Sequence, residues 1–139
     1  METGVSYAKL DPDTDARFKS LRRDLGVTSF GLNQILLRPG QRGRIHRHAS
    51  QEEVYLVLSG TLTLRVEGEG RELRQGELAR VAPGVRRQLA NRDPAEDVLL
   101  LALGGAGEHS GRDGEAFTAW DQEQGAPPQE VPEPGDEPL

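Results

Sequence analysis

The middle of the chain, from Val27 to Leu103, is divided into short stretches by glycine, proline and asparagine. These stretches are either apolar or alternate between apolar and polar residues, which is typical of β-strands with one face on a core. About seven short strands at this spacing indicate a β-sandwich or a β-barrel. The predicted strands are Ser29–Arg38, Gly43–His48, Glu53–Leu58, Thr61–Val66, Leu78–Ala82, Arg86–Asn91 and Val98–Leu103.

The two ends of the chain differ from this middle region. Near the N-terminus, apolar residues up to Leu25 followed by Gly26 suit either a short helix or an extended arm with one helical turn. After Gly125 the chain is rich in proline, glutamate, glycine and glutamine, so we expect Ala126–Leu139 to be a disordered tail. The predicted organisation is an N-terminal arm over 1–26, a barrel over 27–120 and a flexible acidic tail over 121–139.

The composition excludes several classes of function. The 139 residues fit one domain, and 35% hydrophobic with only 4% aromatic residues favours a compact aliphatic core. A net charge of −6 argues against nucleic-acid or anionic-membrane binding, because both need a basic surface. The absence of cysteine excludes thiolate metal sites and a cysteine nucleophile. No signal-peptide pattern or membrane-spanning run is visible, so we expect a cytoplasmic protein.

Two of the three histidines, His46 and His48, lie close to Glu53. Because side chains on a strand alternate, both imidazoles point to one face, and Glu53 can return on the adjacent strand facing the same interior. Two nitrogens and one oxygen suit a divalent transition metal, namely Fe, Mn, Ni, Co, Cu or Zn. The alternative is a group of surface polar residues near a turn. Tyr55 and Gln34 are further candidates for lining the same interior, and His109 is a candidate surface residue.

The spacing of this segment resembles the first motif of the cupin superfamily, G-x5-H-x-H-x3,4-E-x6-G. The matching residues are Gly40, His46, His48, Glu53 and Gly60, and of the two neighbouring glutamates only Glu53 has the correct distance to Gly60. The resemblance implies an all-β fold, the double-stranded β-helix or jelly-roll barrel, and a metal bound by the two histidines and the glutamate.

A second segment resembles the second cupin motif, G-x5-P-x-G-x2-H-x3-N. Gly76, Gly84 and Asn91 match, Pro83 stands one position late, and the histidine that serves as the fourth ligand is replaced by Arg87. Arginine keeps its proton and does not ligate metals. Either the remaining three residues bind the metal while Arg87 orients an anionic substrate, or Arg87 pairs with Glu53 in a metal-free pocket.

The resemblance implies three possible functions. The first is a metal-dependent enzyme, such as an oxygenase or isomerase, acting on a small anionic molecule with Arg87 and Tyr55 as catalytic candidates. The second is a non-catalytic module that binds a small ligand without metal. The third is a structural homodimer, and dimerisation through a sheet face or through the N-terminal segment Val5–Leu10 is itself an expectation from the family. Fold alone does not choose among them.

Overall fold

The computed structural model describes residues 4–105 and 113–139. In these residues, two five-stranded antiparallel sheets face each other, with strand orders β1-β2-β9-β4-β7 in the first sheet and β10-β3-β8-β5-β6 in the second. This is the predicted all-β double-stranded β-helix. The strands are β1 (Phe18–Ser20), β2 (Gly31–Leu37), β3 (Ile45–His48), β4 (Glu52–Ser59), β5 (Thr61–Val66), β6 (Glu69–Arg74), β7 (Leu78–Val81), β8 (Arg87–Ala90), β9 (Val98–Gly105) and β10 (Gly114–Phe117).

All seven predicted strands are present, with ends within a few residues of the prediction. The three additional strands lack the apolar alternation that reveals a strand in sequence. In β6 only Leu73 is buried, and its first two residues, Glu69 and Gly70, pair with Val66 and Arg65 of β5. The turn consists of Glu67 and Gly68, which both have positive φ, the conformation of a tight hairpin turn.

The core between the two sheets is aliphatic except for Tyr55. Every second residue of each facing strand points inward, so alternation in sequence becomes burial on one face. The other buried members of the core are Ile35, Leu37, Val57, Leu62, Leu64, Leu73, Val81, Leu89, Val98, Leu100 and Ala102.

Gly60 lies where the chain crosses from β4 in the first sheet to β5 in the second. Its φ is 78°, and a Cβ atom at this position would overlap the carbonyl oxygen of Asp97. Glycine is therefore required here both by the backbone conformation and by the close approach of a neighbouring segment.

The N-terminal region is an extended arm with one helical turn, the second of the two expected alternatives. The helix α1 spans Leu21–Leu25, because the Ser20 hydroxyl accepts from the Arg23 N–H at its start and Gly26 ends it at φ 76°. Gln34 on β2 points away from the barrel interior and holds this arm, donating from Nε2 to the Asp11 carbonyl at 2.7 Å. The prediction that Gln34 lines the interior is therefore wrong. No helix in the described ranges is long and apolar enough to cross a membrane.

The C-terminal residues pack along the second sheet. Ala126 pairs with Ala116 of β10 through two backbone hydrogen bonds of 2.8 and 2.9 Å. A 3-10 turn spans Pro128–Glu130, and Val131 after it is buried. The sequence suggested almost no apolar contact for this segment, so its docking is a finding of the structure, whereas the flexibility expected from its composition stays a prediction.

Candidate metal centre

His46 and His48 lie on β3, and Glu53 lies on β4. Although these strands are consecutive, β3 is hydrogen-bonded to β10 and β8, whereas β4 is hydrogen-bonded to β9 and β7. Glu53 faces the same interior as the histidines, as expected, but it does so from the opposite sheet rather than from a strand that is hydrogen-bonded to β3.

The connection that carries the chain between the two sheets is held by Asp113. Its carboxylate accepts from the backbone N–H groups of Ser50, at 3.0 Å, and Gln51, at 2.9 Å, and from the Ser50 hydroxyl at 2.7 Å. The same carboxylate lies 3.7 Å from Nδ1 of His48. The turn geometry that aligns His48 with Glu53 thus depends on a residue more than sixty positions away in sequence.

The geometry of the three side chains fits a metal ion. One possible ligand atom from each of His46, His48 and Glu53 lies within 4.8 Å of the others. The Nε2 atom of His46 is 3.7 Å from Glu53 Oε1, and the Nε2 atom of His48 is 3.5 Å from Glu53 Oε2. Ligands bound at about 2.0–2.2 Å from a common ion are spaced only slightly more closely than this, so small side-chain shifts complete the site.

The second ring nitrogens of the two histidines have different surroundings. Nδ1 of His46 lies 3.2 Å from the carbonyl oxygen of Arg44. When Nδ1 carries the proton, it donates to this carbonyl, and the unprotonated Nε2 is then free to ligate a metal. Nδ1 of His48 is buried and, within the described part of the chain, makes no hydrogen bond. Both Nε2 atoms face the carboxylate of Glu53.

Glu53 is ionised at neutral pH and so is a competent ligand. Burial opposes its charge, but the hydrogen bonds and positive potential of His46 and His48 outweigh burial and hold the pKa of Glu53 well below its ordinary value. Glu52 instead is exposed and forms an ion pair with Arg80 on the outer surface. The spacing that selected Glu53 over Glu52 therefore chose the inward-facing residue.

Tyr55 and Arg87 form a chain of contacts behind Glu53. The Tyr55 hydroxyl donates to Glu53 Oε1 and accepts from Nε of Arg87 at 3.3 Å. Burial and the Glu53 charge raise the pKa of Tyr55, with Arg87 opposing them, so the phenol keeps its proton at neutral pH. One terminal nitrogen of Arg87 donates to the Val85 carbonyl at 2.8 Å, and the other lies 3.7 Å from Glu53 Oε1.

Arg87 is inside the barrel, as expected from the motif, but its position limits what it can contact. The residue is 0% exposed, and it is not one of the residues that line the cavity in front of Glu53. The next residue, Gln88, faces the other side of the sheet, where it donates to the Gly43 carbonyl at 3.0 Å. Direct contact between Arg87 and a substrate is absent from this geometry, so the guanidinium acts through Tyr55 and Glu53.

The cavity in front of the three candidate ligands has a volume of about 290 Å³. Tyr55 lines it, as predicted. Asn33 lies two residues before Ile35 on β2, so both side chains point inward, and alternation in the sequence could have predicted that Asn33 lines the cavity. Pro128 could not have been predicted in this way, because it lies in the C-terminal segment. Arg44 is the one lysine or arginine among the described lining residues. The full lining comprises Phe18, Asn33, Ile35, Gly43, Arg44, His46, His48, Glu53, Tyr55, Leu89, Ala102, Gly114 and Pro128. His109 lies outside the described residues.

Two facing antiparallel sheets with two histidines and a glutamate between them define a double-stranded β-helix protein with a candidate metal centre. Residues 33–104, about half of the chain, match the family described as Cupin domain. The chain therefore belongs to the cupin family.

Individual relatives are more distant. The chain is 34% identical over 80 residues to the tetracenomycin polyketide synthase protein TcmJ of Streptomyces glaucescens, covering 56% of this chain and 54% of that protein. It therefore spans about half the length of this curated relative.

Two solved structures are similar in fold. A cupin protein from Bacteroides fragilis is 27% identical, with a TM-score of 0.62 and coverage of 88% of this chain and 97% of that one. A sugar phosphate isomerase of the cupin superfamily from Silicibacter pomeroyi is 24% identical, with a TM-score of 0.62 and coverage of 73% and 65%. At this level of identity the second similarity is one of fold.

Proposed function

We propose that the protein is a metal-dependent enzyme that acts on a small anionic organic molecule. The observation that carries the proposal is the convergence of His46, His48 and Glu53 on one point at the wall of a small cavity. Apart from the imidazoles, the charged groups nearest the candidate ligands are the carboxylates of Glu53 and Asp113 and the guanidinium of Arg87. A divalent ion outweighs their net charge of −1 and leaves the site positive, which favours an anionic substrate.

The roles of the residues follow from their contacts. When bound, the metal would polarise a carbonyl or bring oxygen chemistry to the substrate. Tyr55 fixes Oε1 of Glu53 by donating to it, which holds the carboxylate so that Oε2 faces Nε2 of His48. Arg87 orients the Tyr55 hydroxyl, and both are therefore positioning residues in this proposal.

Arg44 is the residue proposed to contact the substrate anion directly. It lines the cavity, and its guanidinium is held in place by the Val131 carbonyl and by Glu133 at 3.9 Å. A cation held by backbone and side-chain contacts loses little conformational freedom when it binds an anion. The substrate is small, because a cavity of about 290 Å³ lies at the lower end of ligand pockets.

A second candidate is a metal-free module that binds a small ligand. It is favoured by one observation, the position of the Arg87 guanidinium 3.7 Å from Glu53, where it partly neutralises the carboxylate without an ion. In this alternative the cavity binds its ligand through Arg44, Asn33 and the imidazoles, and no reaction takes place.

Metal titration separates the two candidates. We expect the purified chain, freed of metal and titrated with Co(II) or Fe(II), to bind one equivalent with loss of affinity on acidification, because protons compete for the ligand atoms. Binding of less than about a tenth of an equivalent after reconstitution contradicts the metal-dependent proposal. The loaded protein is then tested for turnover of sugar phosphates and of polyketides, the compound classes that the names of the relatives contain.

We further propose a homodimer formed through the outer face of the first sheet. On β4 and β9, the residues between the core positions are apolar and pair across the strands as Val54 with Leu103 and Leu56 with Leu101. They are only partly buried, and Leu78 on the neighbouring β7 is 60% exposed. An apolar sheet face of this kind favours association.

The dimer is tested by the replacement Leu101→Glu. A charge at the centre of an apolar interface is expected to raise the dimer dissociation constant by at least about 100-fold, measured by analytical ultracentrifugation. The control Arg71→Glu changes an exposed position of the second sheet and is expected to leave association unchanged. Sedimentation of the unaltered chain as a monomer at high micromolar concentration contradicts the proposal.

A further inference from the structure

Pro128 is part of the wall of the candidate metal cavity, although it lies in the C-terminal segment. It packs over Gly114, the residue of β10 that pairs with His48. A Cβ atom on Gly114 would lie 3.2 Å from Cγ of Pro128 and 3.9 Å from Cε1 of His48. The proline ring and the imidazole of a candidate ligand therefore both border Gly114 and both line the cavity, so the position of the ring affects how much room the cavity has beside His48.

The segment 126–137, termed the strap here, is attached to the barrel on both sides of Pro128. Before it, Ala126 is joined to Ala116 by two backbone hydrogen bonds. After it, Val131 is buried, and its carbonyl accepts a hydrogen bond from Nε of Arg44. Because Arg44 also lines the cavity, the strap determines the position of both the proline and the cation.

The end of the strap is held by charge. Glu133 lies 3.5 Å from Arg17 and 3.9 Å from Arg44. Glu137 is paired with three arginines, Arg65 in close contact, Arg42 at 3.2 Å and Arg92 at 3.8 Å. The hydrogen bond from Arg65 and the surrounding positive charges lower the pKa of Glu137 despite its burial. Single surface ion pairs contribute little, but a network of them on a buried carboxylate contributes more.

We propose that Pro128, held in place by the charged strap, is a specificity-determining residue that limits the width of ligands able to reach His48 and the bound metal. This inference rests on the proposed function of the cavity as a metal-dependent site. The proline ring fills space that a flat or branched substrate would otherwise occupy, and the ion pairs of Glu133 and Glu137 keep it there. Loss of either the ring or the ion pairs widens the cavity.

The first experiment measures access to His48 in the metal-free protein. The rate of carbethoxylation by diethyl pyrocarbonate is followed at His46 and His48 by peptide mass spectrometry. Pro128→Gly is expected to raise the rate at His48 at least about threefold, because it removes the ring from the cavity wall. The double replacement Glu133→Lys with Glu137→Lys is expected to raise it by at least the same factor, because several weak ion pairs that act together are lost. The matched control, Glu123→Lys with Glu130→Lys, changes the charge equally at two glutamates that form no ion pair with an arginine in the described part of the chain, and its rate is expected to equal that of the unaltered chain.

The second experiment measures selectivity on the Co(II)-loaded protein, with formate and benzoate as narrow and wide carboxylate probes. In Pro128→Gly the ratio of benzoate to formate affinity is expected to rise at least about tenfold, the lower end of the discrimination that a hydrophobic pocket shows for a single methylene group. Pro128→Ala, which keeps a more restricted backbone, is expected to show a smaller rise.

The outcomes separate this inference from the proposed function. An unchanged carbethoxylation rate at His48 in Pro128→Gly overturns the role of the proline, and an unchanged rate in the Glu133/Glu137 variant overturns the role of the ion pairs. Both measurements need no metal. Failure of the unaltered chain to bind Co(II) contradicts the proposed function, while the histidine rates still decide whether the strap limits access.

Discussion

Replacing Glu53 by glutamine is expected to lower the affinity for Co(II) or Fe(II) by more than about 100-fold, since even loss of a residue that merely supports a ligand typically costs 10–100-fold. The substitution conserves size but removes the negative charge that faces both imidazoles. The amide is a weaker ligand for a transition metal than the carboxylate. Affinity is measured by competition with a chelator of known strength, and folding is checked by the cooperativity of urea unfolding.

The neighbouring residue provides a matched control. Glu52→Gln makes the same chemical change one position earlier on β4, at an exposed side chain that pairs with Arg80 outside the barrel. It is expected to leave metal affinity within about twofold, because its charge is screened by solvent. Equal effects of the two replacements would show that metal binds at the surface rather than between the sheets.

Replacing Arg87 by methionine is expected to lower the free energy of unfolding of the metal-free protein by about 3 kcal/mol, because it removes one partner of a buried charged group. Arg87 is 0% exposed, so solvent does not screen the loss. The Tyr55 hydroxyl and the Val85 carbonyl also lose their donors. The measurement is urea unfolding in the presence of a chelator.

The same variant is expected to bind metal at least about tenfold more tightly, because a divalent ion no longer lies near a positive charge. Saturating metal then returns part of the lost stability, since a ligand that binds the folded state stabilises it. Arg80→Met, the control, removes an exposed arginine and is expected to change stability by about 0.5 kcal/mol or less. Weaker metal binding in Arg87→Met would contradict this expectation and show that the support of Arg87 for Tyr55 and Glu53 outweighs its repulsion of the ion.

The sequence was most informative about features that depend on residues close together along the chain. Alternation along single stretches was sufficient for seven of the ten strands in the described residues, but β6 has only Leu73 as an apolar signal and was missed. The spacing of His46, His48, Glu53 and Gly60 was sufficient to select the inward glutamate. It was not sufficient to show that the ligands come from opposite sheets, because that depends on which strands pair along the edges of the fold.

The residues around the ligands were predicted less well. Gln34 was expected in the interior but faces the N-terminal arm, because the residues of β2 that point inward are its neighbours Asn33 and Ile35. Arg87 was placed correctly inside the barrel from its motif position, but its distance from the cavity follows from the intervening Tyr55 and Glu53. Such an arrangement joins two strands of opposite sheets, β4 and β8, and has no signature in either one.

By itself, the sequence determined the class of fold, the positions of the main strands and the three candidate metal ligands, because each of these follows from periodicity or spacing within a short stretch of residues. Only the tertiary structure decided that Arg87 acts behind Tyr55 and that Pro128 forms a wall of the cavity. It also decided that Glu137 meets Arg42, Arg65 and Arg92. These contacts join residues tens of positions apart, so they depend on strand pairing and packing across the whole chain rather than on any local pattern.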